Sequence, residues 1–234
     1  VGTFALAEGV GRSVLDELST RRIGDHLEGS KYPVPDAQVA DFAVVIVQSN
    51  TGLEACLLSL DQAGVTIESL QTLDMSRSHG RLIFDLAEVE VLGGRSILNS
   101  EFDRFIESAA VLFAWELLGI AESSLNQAKD YALQRFAFGR QIGSFQAIKH
   151  KLAKMYVKNT LARSNAYYGV WALVEDGKEL PLAAATARVS AIQAASFAAE
   201  ENIQTHGGMG FTWEFDCHLY YRRAKLLSLA HGGE

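Results

Sequence analysis

Hydrophobic and polar positions follow two different patterns in the two parts of this 234-residue chain. The first part contains short apolar runs, rich in β-branched and aliphatic residues, that are separated by turn residues. Short runs at roughly ten-residue spacing indicate the strands of a small antiparallel sandwich or barrel. The runs occupy residues 42–47, 55–60, 65–67 and 81–85.

The second part follows the period of an α-helix. Between residues 112 and 134, one stripe is apolar and consists of Leu118, Ala121, Leu125, Ala128 and Ala132, and the opposite face carries Glu122, Asn126, Lys129 and Asp130. Further helices are predicted over residues 145–174, 181–204 and 217–229, with Pro181 in the first turn of the third helix. Long helices with short connections favour an antiparallel four-helix bundle.

The two patterns predict a multi-domain α and β chain. Residues 1–98 form a small antiparallel β domain, and residues 99–234 form the helical bundle. Hydrophobic residues make up 48% of the chain, which is enough to bury a core in each part.

Composition and charge exclude several classes of function. The net charge of −7 argues against a nucleic-acid footprint, and no apolar run of about 18 residues predicts a membrane span. The opening VGTFALAEGVG lacks a basic segment and an apolar core, so we expect no signal peptide. Cys56 and Cys217 lack metal-site spacing, and we predict free buried thiols, which suit the cytoplasm.

The connection between the first two predicted helices carries the strongest candidate chemistry. It places Arg135, Phe138 and Gln146 at one corner. The Arg135 guanidinium can bind a phosphate, and an aromatic ring can cover an adenine or a flavin edge. On the residues alone an alternative is equally good, in which Arg135 caps helix carbonyls and Phe138 fills the core.

A second candidate is the run from Gln204 to Phe211, which holds Gly207, Gly208 and Gly210. Three glycines within four residues let a backbone pass close to a ligand, although on the residues alone a helix stop and tight turn is the better explanation. His231 is a further titratable group near the end of the chain. None of the histidines shows the spacing of metal ligands.

Two motifs together resemble a known family. Residues 131–142, YALQRFAFGRQI, followed by Phe145-Gln146-Ala147-Ile148, are similar to one signature of the acyl-CoA dehydrogenases, and Gln204–Phe211, QTHGGMGF, is similar to the other. Residues 7–11 weakly resemble a third stretch of that family. The resemblance implies a fold of a β domain and a four-helix bundle, with the family's N-terminal helical domain absent from this chain.

The resemblance also implies a cofactor and a set of residues. Such enzymes use FAD to desaturate an acyl-CoA between its α and β carbons, while a glutamate removes the α-proton. The residues that match the family's FAD contacts are Arg135, Phe138, Gln146, Gln204 and Gly208. In the family's dimers these groups act on the FAD of the neighbouring subunit.

Other positions depart from the family pattern. His231 stands where the family carries its catalytic glutamate, and Gly233 stands where it carries a flavin-binding threonine. The earlier helix position used by some members is Ala109, followed by Ala110 in place of an arginine. The flavin-facing Trp-Ile-Thr of the β domain is missing from residues 31–35.

The resemblance therefore implies a subunit without its own catalytic glutamate. We expect it to complete the FAD site of a second acyl-CoA dehydrogenase subunit in an α2β2 assembly, similar to actinobacterial enzymes of steroid side-chain degradation. Electron-transfer flavoprotein is the expected acceptor. Two alternatives stay open: a self-sufficient dehydrogenase or oxidase with a displaced base at Glu107, His231 or Glu234, and a non-enzymatic relative of the fold.

Overall fold

The computed structural model describes residues 1–9, 15–175 and 177–230. Within these ranges the chain forms two compact units, one ending at Phe102 and the other running from Asp103 to Ala230. The boundary between residues 98 and 99 stays a prediction. None of the helices in the described ranges is long and apolar enough to cross a membrane.

The first unit is built on an eight-stranded sheet, and the predicted β domain is confirmed. Its strands are β1 (Gly2–Ala5), β2 (Arg21–Ile23), β3 (His26–Pro35), β4 (Phe42–Ser49), β5 (Gly52–Ser59), β6 (Val65–Leu70), β7 (His79–Glu88) and β8 (Glu90–Val91). The order along the sheet is β6-β7-β3-β2-β4-β5-β8, with β1 added beside β4.

The sheet is mixed rather than purely antiparallel. β1 pairs in parallel with β4, in the register Gly2 to Phe42, and β2 makes one parallel pair with β4 through Arg21 and Gln48. Parallel pairing needs a long connection, and β3 with its flanking segments supplies that length here. The other strand pairs in the sheet are antiparallel, as predicted.

The β core lies on one face of β4, β5 and β7. Val45, Val47 and Cys56 are fully buried there, and Val45 is directly opposite Cys56 in the β4–β5 register. β-Branched side chains suit this position because they pack well on a pleated surface. Burial raises the pKa of the Cys56 thiol to about 11, so the thiol is a packing group at neutral pH.

Among the described residues, the second unit is made of four α-helices, as predicted. They are α1 (Asn99–Gln134), α2 (Gln146–Val174), α3 (Leu180–His206) and α4 (Cys217–Leu229). α1 begins thirteen residues earlier than the predicted start at residue 112. Between Asn99 and Val111 only Phe102 and Val111 are buried, so the sequence there lacks a clear apolar stripe.

Small side chains bring α2 and α3 close together. A Cβ at Gly169 of α2 would lie 3.2 Å from the Cβ of Ala187 on α3. The buried face of α3 is mostly alanine: Ala183, Ala184, Ala187, Ala191, Ala194, Ala195, Ala198 and Ala199. This close packing fixes the ends of both helices, where the two sequence motifs lie.

Candidate functional site

The corner after α1 is a tight β-hairpin. β9 (Phe136–Ala137) pairs with β10 (Arg140–Gln141), so Phe138 and Gly139 form the two-residue turn. Both have positive φ, 53° at Phe138 and 77° at Gly139, as hairpin turns of this length require. A left-handed backbone costs a phenylalanine about 1–2 kcal/mol, so Phe138 is held in an unfavourable conformation.

The Phe138 ring is 95% exposed, so the alternative in which it fills the core is wrong. The ring approaches that of Phe145 edge-on, with centroids 6.3 Å apart. Arg135 is also exposed, and its side chain makes no hydrogen bond or ion pair with the part of the chain that the structure describes. The corner therefore exposes to solvent an aromatic ring on a strained backbone and a guanidinium without a counter-charge.

The hairpin leads directly into the N-terminus of α2. Phe145 is the N-cap and provides no side-chain hydrogen bond to the first turn, where the exposed Gln146 lies. The guanidinium of Arg140 stacks on the Phe145 ring, 4.1 Å from its centroid. Because uncapped helix amides and the helix dipole favour negative charge, this end of α2 suits an anion such as a phosphate.

α2 is also strongly basic for a chain of net charge −7. It holds four lysines and one arginine but no acidic residue. Several of these cations have partners in the bundle: Lys151 pairs with Glu201, Arg163 pairs with Glu122, and Lys154 and Lys158 lie over the Phe197 ring. The positive field around the helix nevertheless adds to the attraction of an anion at its N-terminus.

The second motif follows α3. Gln204 is exposed in the last turn, and Gly207–Phe211 forms a short 3-10 helix. A Cβ at Gly210 would lie 2.5 Å from the carbonyl oxygen of Ile203, so the fold requires glycine there. A Cβ at Gly208 would meet open space, so the packing of this chain does not explain that glycine.

Aromatic stacking joins the two motifs. Tyr131, one turn before Arg135, stacks on His206, which lies between Gln204 and Gly208 in the sequence; the ring centroids are 4.1 Å apart. Phe215 approaches both rings edge-on, and the three line a shallow cavity of about 260 Å³. The Asn202 carbonyl lies 2.9 Å from His206 Nδ1 and fixes the ring. Sequence reasoning missed this link, because Tyr131 and His206 are 75 residues apart.

The first unit contains a buried ion pair at residues that the resemblance had marked. The Lys31 ammonium on β3 is fully buried and donates to Glu8 Oε1 at 2.7 Å and to the Leu6 carbonyl at 3.1 Å. Glu8 also accepts hydrogen bonds from the backbone amide and the hydroxyl of Ser19 and from the Thr20 amide. Residues 10 and 11 of the weakly matching stretch lie outside the described residues.

The two partners of this ion pair are shifted in different ways. Burial raises the pKa of Glu8, but its hydrogen bonds, with Lys31 the strongest, outweigh that effect and lower the pKa to about 2. Burial dominates at Lys31 and lowers the pKa of its ammonium in spite of Glu8. The difference follows from exposure, since 13% of the Glu8 side chain is accessible and none of Lys31 is.

The candidate bases divide into described and undescribed residues. Ala109 and Ala110 lie on α1, where neither side chain can accept a proton. Glu107, on the same helix, is half-buried. Its pKa is raised chiefly by burial and, to a smaller extent, by the negative charge of Asp103. Two residues along a helix rotate a side chain by about 200°, so Glu107 points away from the direction of Ala109. His231, Gly233 and Glu234 lie outside the described residues.

No cluster of three or more His, Cys, Asp or Glu side chains suited to a metal ion occurs among the residues that the structure describes. The arrangement instead offers an anion site at the start of α2, an exposed ring at Phe138 and open backbone at Gly208. These features suit a phosphate-bearing ligand with a flat ring system.

Comparison with known proteins identifies the family. Residues 89–234 match the model of the acyl-CoA dehydrogenase C-terminal domain. Acyl-CoA dehydrogenase IpdE2 of Mycobacterium tuberculosis is 48% identical over 120 residues, covering 50% of this chain and 35% of that protein. An acyl-CoA dehydrogenase of Bacillus subtilis is 31% identical over 249 residues, covering 99% of this chain and 65% of that protein.

Solved structures agree with this. Butyryl-CoA dehydrogenase from Megasphaera elsdenii has a TM-score of 0.88 and 25% identity, covering 100% of this chain and 64% of that one. The Tcur3481-Tcur3483 steroid ACAD G363A variant has a TM-score of 0.87 and 28% identity, covering 99% and 63%. The chain spans less than two thirds of the length of each of these four relatives. On the family match and the shared fold, this chain belongs to the acyl-CoA dehydrogenase family.

Proposed function

We propose that this chain is a subunit of an FAD-dependent acyl-CoA dehydrogenase that lacks its own catalytic glutamate and completes the FAD site of a partner subunit. The observation that carries the proposal is a contrast within one chain. Arg135 and Phe138 are exposed rather than packed in the core, whereas Ala109 and His231 occupy the two positions of the family's base.

The corner fits the phosphate and adenine end of FAD. Arg135 would hold the pyrophosphate, and the uncapped amides at Gln146 would add hydrogen bonds to it. Phe138 would cover a ring, and Gln204 would donate from its amide. Open space over Gly208 lets a ligand approach the backbone there.

FAD, when bound, supplies the acceptor for the hydride that leaves the β-carbon of the acyl-CoA. In this proposal the present chain supports that chemistry by binding and orienting the cofactor and by excluding water from it. A glutamate of the partner subunit would remove the α-proton, because Ala109, at the earlier position of the base, cannot accept it. An electron-transfer flavoprotein would be the electron acceptor of the assembly.

An apolar surface on α2 supports the presence of a partner. Seven large hydrophobic side chains on this helix are each at least 38% exposed: Tyr156, Val157, Leu161, Tyr167, Tyr168, Trp171 and Val174. Large apolar side chains that lie together on the exposed side of a helix normally mark a surface that another chain covers. Phe211 and Trp213, next to the glycine motif, are exposed as well. An α2β2 assembly would cover such surfaces.

The substrate class we propose is the CoA thioester of a steroid side chain. The support is the likeness to a solved steroid ACAD at 28% identity. We also propose a cytoplasmic location, which the buried free thiols Cys56 and Cys217 favour.

The proposal is tested by purifying the chain alone and together with the product of the adjacent dehydrogenase gene. Bound FAD and acyl-CoA-dependent reduction of an artificial electron acceptor are measured in both samples. We expect little FAD and no turnover from the chain alone, and both from the complex. Stoichiometric FAD and full turnover by the chain alone would overturn the proposal.

Variants of the chain sharpen this test. Arg135→Ala should lower the FAD content of the complex, whereas Arg21→Ala, which removes an exposed arginine of the β unit, should leave it unchanged.

The raised pKa of Glu107 favours a second candidate function, a self-sufficient enzyme with Glu107 as its base. In that case Glu107→Gln would abolish turnover, and under the main proposal it would not. Silence with every partner and acyl-CoA would favour the non-enzymatic relative.

A further inference from the structure

One exposed row of α2 has the spacing of a helix-packing seam. The residues of this row, the α2 stripe, follow one another in steps of four, three, four and three: Val157, Leu161, Ser164, Tyr168 and Trp171. Such steps keep side chains on one line of a helix, as in the seam along which two helices pack. Four of the five are large hydrophobic side chains, and they are 38–60% exposed. Within the described residues the α2 stripe is therefore open to solvent.

The hydroxyl groups on this side of α2 are already satisfied by their own helix. The Ser164 hydroxyl donates to the Thr160 carbonyl at 3.2 Å, and the Thr160 hydroxyl donates to the Tyr156 carbonyl at 2.9 Å. Because neither hydroxyl depends on water for its hydrogen bond, another helix can cover both without leaving a donor unsatisfied. The polar positions of this surface are therefore suited to burial.

The aromatic side chains of this surface are fixed by contacts within their own unit. Tyr168 stacks on Trp171, with ring centroids 5.7 Å apart. Tyr167, beside the α2 stripe, packs edge-on against Trp115 with centroids 4.9 Å apart. Rings that are ordered before association lose little conformational entropy on binding, and Tyr and Trp contribute most of the binding energy at many interfaces.

Charge is kept away from this surface. Lys158 and Arg163 are the two charged residues between positions 156 and 174. Lys158 lies over the Phe197 ring, and Arg163 pairs with Glu122 on α1. The buried centre of a protein interface is depleted of charged residues in the same way.

The α2 stripe is complementary to itself when two copies run antiparallel and cross at Ser164. Val157 and Trp171 each lie seven residues from Ser164, so the small side chain of one copy meets the large side chain of the other. Lys154 lies ten residues before Ser164 and Glu175 lies eleven residues after it, so opposite charges meet at both ends. The small side chain of Ser164 lets the two backbones approach at the crossing. Two-fold interfaces require such self-complementarity.

We propose that the α2 stripe is the contact between two copies of this chain. The seven exposed hydrophobic side chains of α2 offer on the order of 700 Å², if each contributes about half of the 150–250 Å² that a large side chain can bury. A standard interface buries about 800 Å² on each partner, so the surface is large enough. Self-association through it needs neither FAD nor the second subunit and does not rest on the proposed function.

Sedimentation velocity of the purified chain, over micromolar concentrations and without FAD, tests the proposal. We expect a dimer that dissociates on dilution. Ser164→Arg buries a charge of each copy at the crossing and should weaken the dimer by about 100-fold or more. Asn126→Arg, the same change of charge at an exposed position of α1, should leave the dissociation constant unchanged. Circular dichroism checks that the variants fold, and Leu161→Arg replaces Ser164→Arg if the latter does not.

A charge exchange tests the antiparallel orientation. Lys154→Glu and Glu175→Lys, each alone, bring like charges together at both ends and should weaken the dimer roughly fivefold. An equimolar mixture of the two variants should recover the original affinity, because opposite charges then meet again at both ends of the mixed dimer. A mixture that dissociates like the single variants would refute the antiparallel contact.

A chain that stays monomeric, or a dimer that Ser164→Arg leaves intact, would overturn the proposal. If the chain is monomeric and Ser164→Arg instead releases the second subunit from the complex, the α2 stripe binds that subunit and the proposal is wrong. Arg135→Ala should leave the dimer unchanged. The FAD content of the complex therefore tests the proposed function separately from this contact.

Discussion

The charges of the Glu8–Lys31 ion pair are compensated within the chain, whereas the charge at the corner of Arg135 and Phe138 is not. Glu8 and Lys31 satisfy each other and take further hydrogen bonds from their own unit. Arg135 has no partner in the part of the chain that the structure describes, and Phe138 is strained and 95% exposed. A group whose interactions are complete within the chain serves the fold, and a strained or uncompensated group marks a surface that serves something else.

The largest effect expected from this comparison is at Lys31. Lys31→Met leaves the partly buried Glu8 carboxylate without its cation, so the free energy of unfolding should fall by about 3–5 kcal/mol. Urea denaturation followed by circular dichroism measures the loss. Lys178→Met removes an exposed lysine and should change stability by less than about 0.5 kcal/mol. Equal stability of both variants would show that the Glu8–Lys31 pair is not a fold-supporting interaction.

The same ion pair predicts a dependence on acid. The folded pKa of Glu8 is about 2 against an ordinary value of 4.5, so the stabilisation is complete above pH 4.5 and is lost as the pH falls towards 2. A lowering of this size corresponds to about 3 kcal/mol. Unfolding free energies measured from pH 6 to pH 3 should fall less steeply for Glu8→Gln than for the unmodified chain. Parallel pH profiles would contradict the assignment.

Gly210 belongs to the fold although it lies in the second motif. Gly210→Ala brings a methyl group 2.5 Å from the Ile203 carbonyl oxygen, a backbone atom that cannot move aside freely. We expect a loss of about 1–3 kcal/mol from this overpacking. Thermal unfolding of the purified chain measures it, and an unchanged Tm would place Gly210 with the open corner instead.

How much of this the sequence could predict depends on how local each feature is. The helical periods predicted α2, α3 and α4 closely, because the pattern lies within each element. The parallel pairing of β1 with β4 joins Gly2 to Phe42 and has no local signal. Likewise, the sequence around Lys31 does not predict its burial, because its partner Glu8 lies 23 residues away in the chain.

The candidate site shows the same division. The sequence predicted Arg135, Phe138, Gln146, Gln204 and Gly208 through a resemblance, and their contact with FAD stays a prediction. The stacking of Tyr131 on His206, which joins the two motifs, brings together the ends of α1 and α3 and could not be predicted from either motif alone. The exposure of Phe138 could not be predicted either, because an aromatic residue in a hairpin turn is equally consistent with core packing.

A substitution at Phe138 should raise the stability of the chain, by less than the losses predicted above. Asparagine tolerates a left-handed backbone better than phenylalanine, so Phe138→Asn should stabilise the chain by about 1 kcal/mol. The same change should lower the FAD content of the complex with the partner, because the covering ring is lost. Phe136→Ala, on the same hairpin but with an ordinary φ, is the control and should bring no gain in stability. A loss of stability for Phe138→Asn would mean that the ring supports the fold.

Gly208 gives the smallest effect on stability and the sharpest contrast with Gly210, two residues away. An alanine at Gly208 meets open space, so the free energy of unfolding should stay within about 0.5 kcal/mol of the unmodified chain. If a ligand passes over this backbone, the added methyl group should weaken FAD binding by the complex roughly tenfold, at a cost of about 1.4 kcal/mol. Fluorescence titration of the FAD-depleted complex measures the affinity. Gly210→Ala, by contrast, should mainly lower the free energy of unfolding. An unchanged affinity for Gly208→Ala would remove Gly208 from the site and leave the cofactor contact to Arg135 and the start of α2.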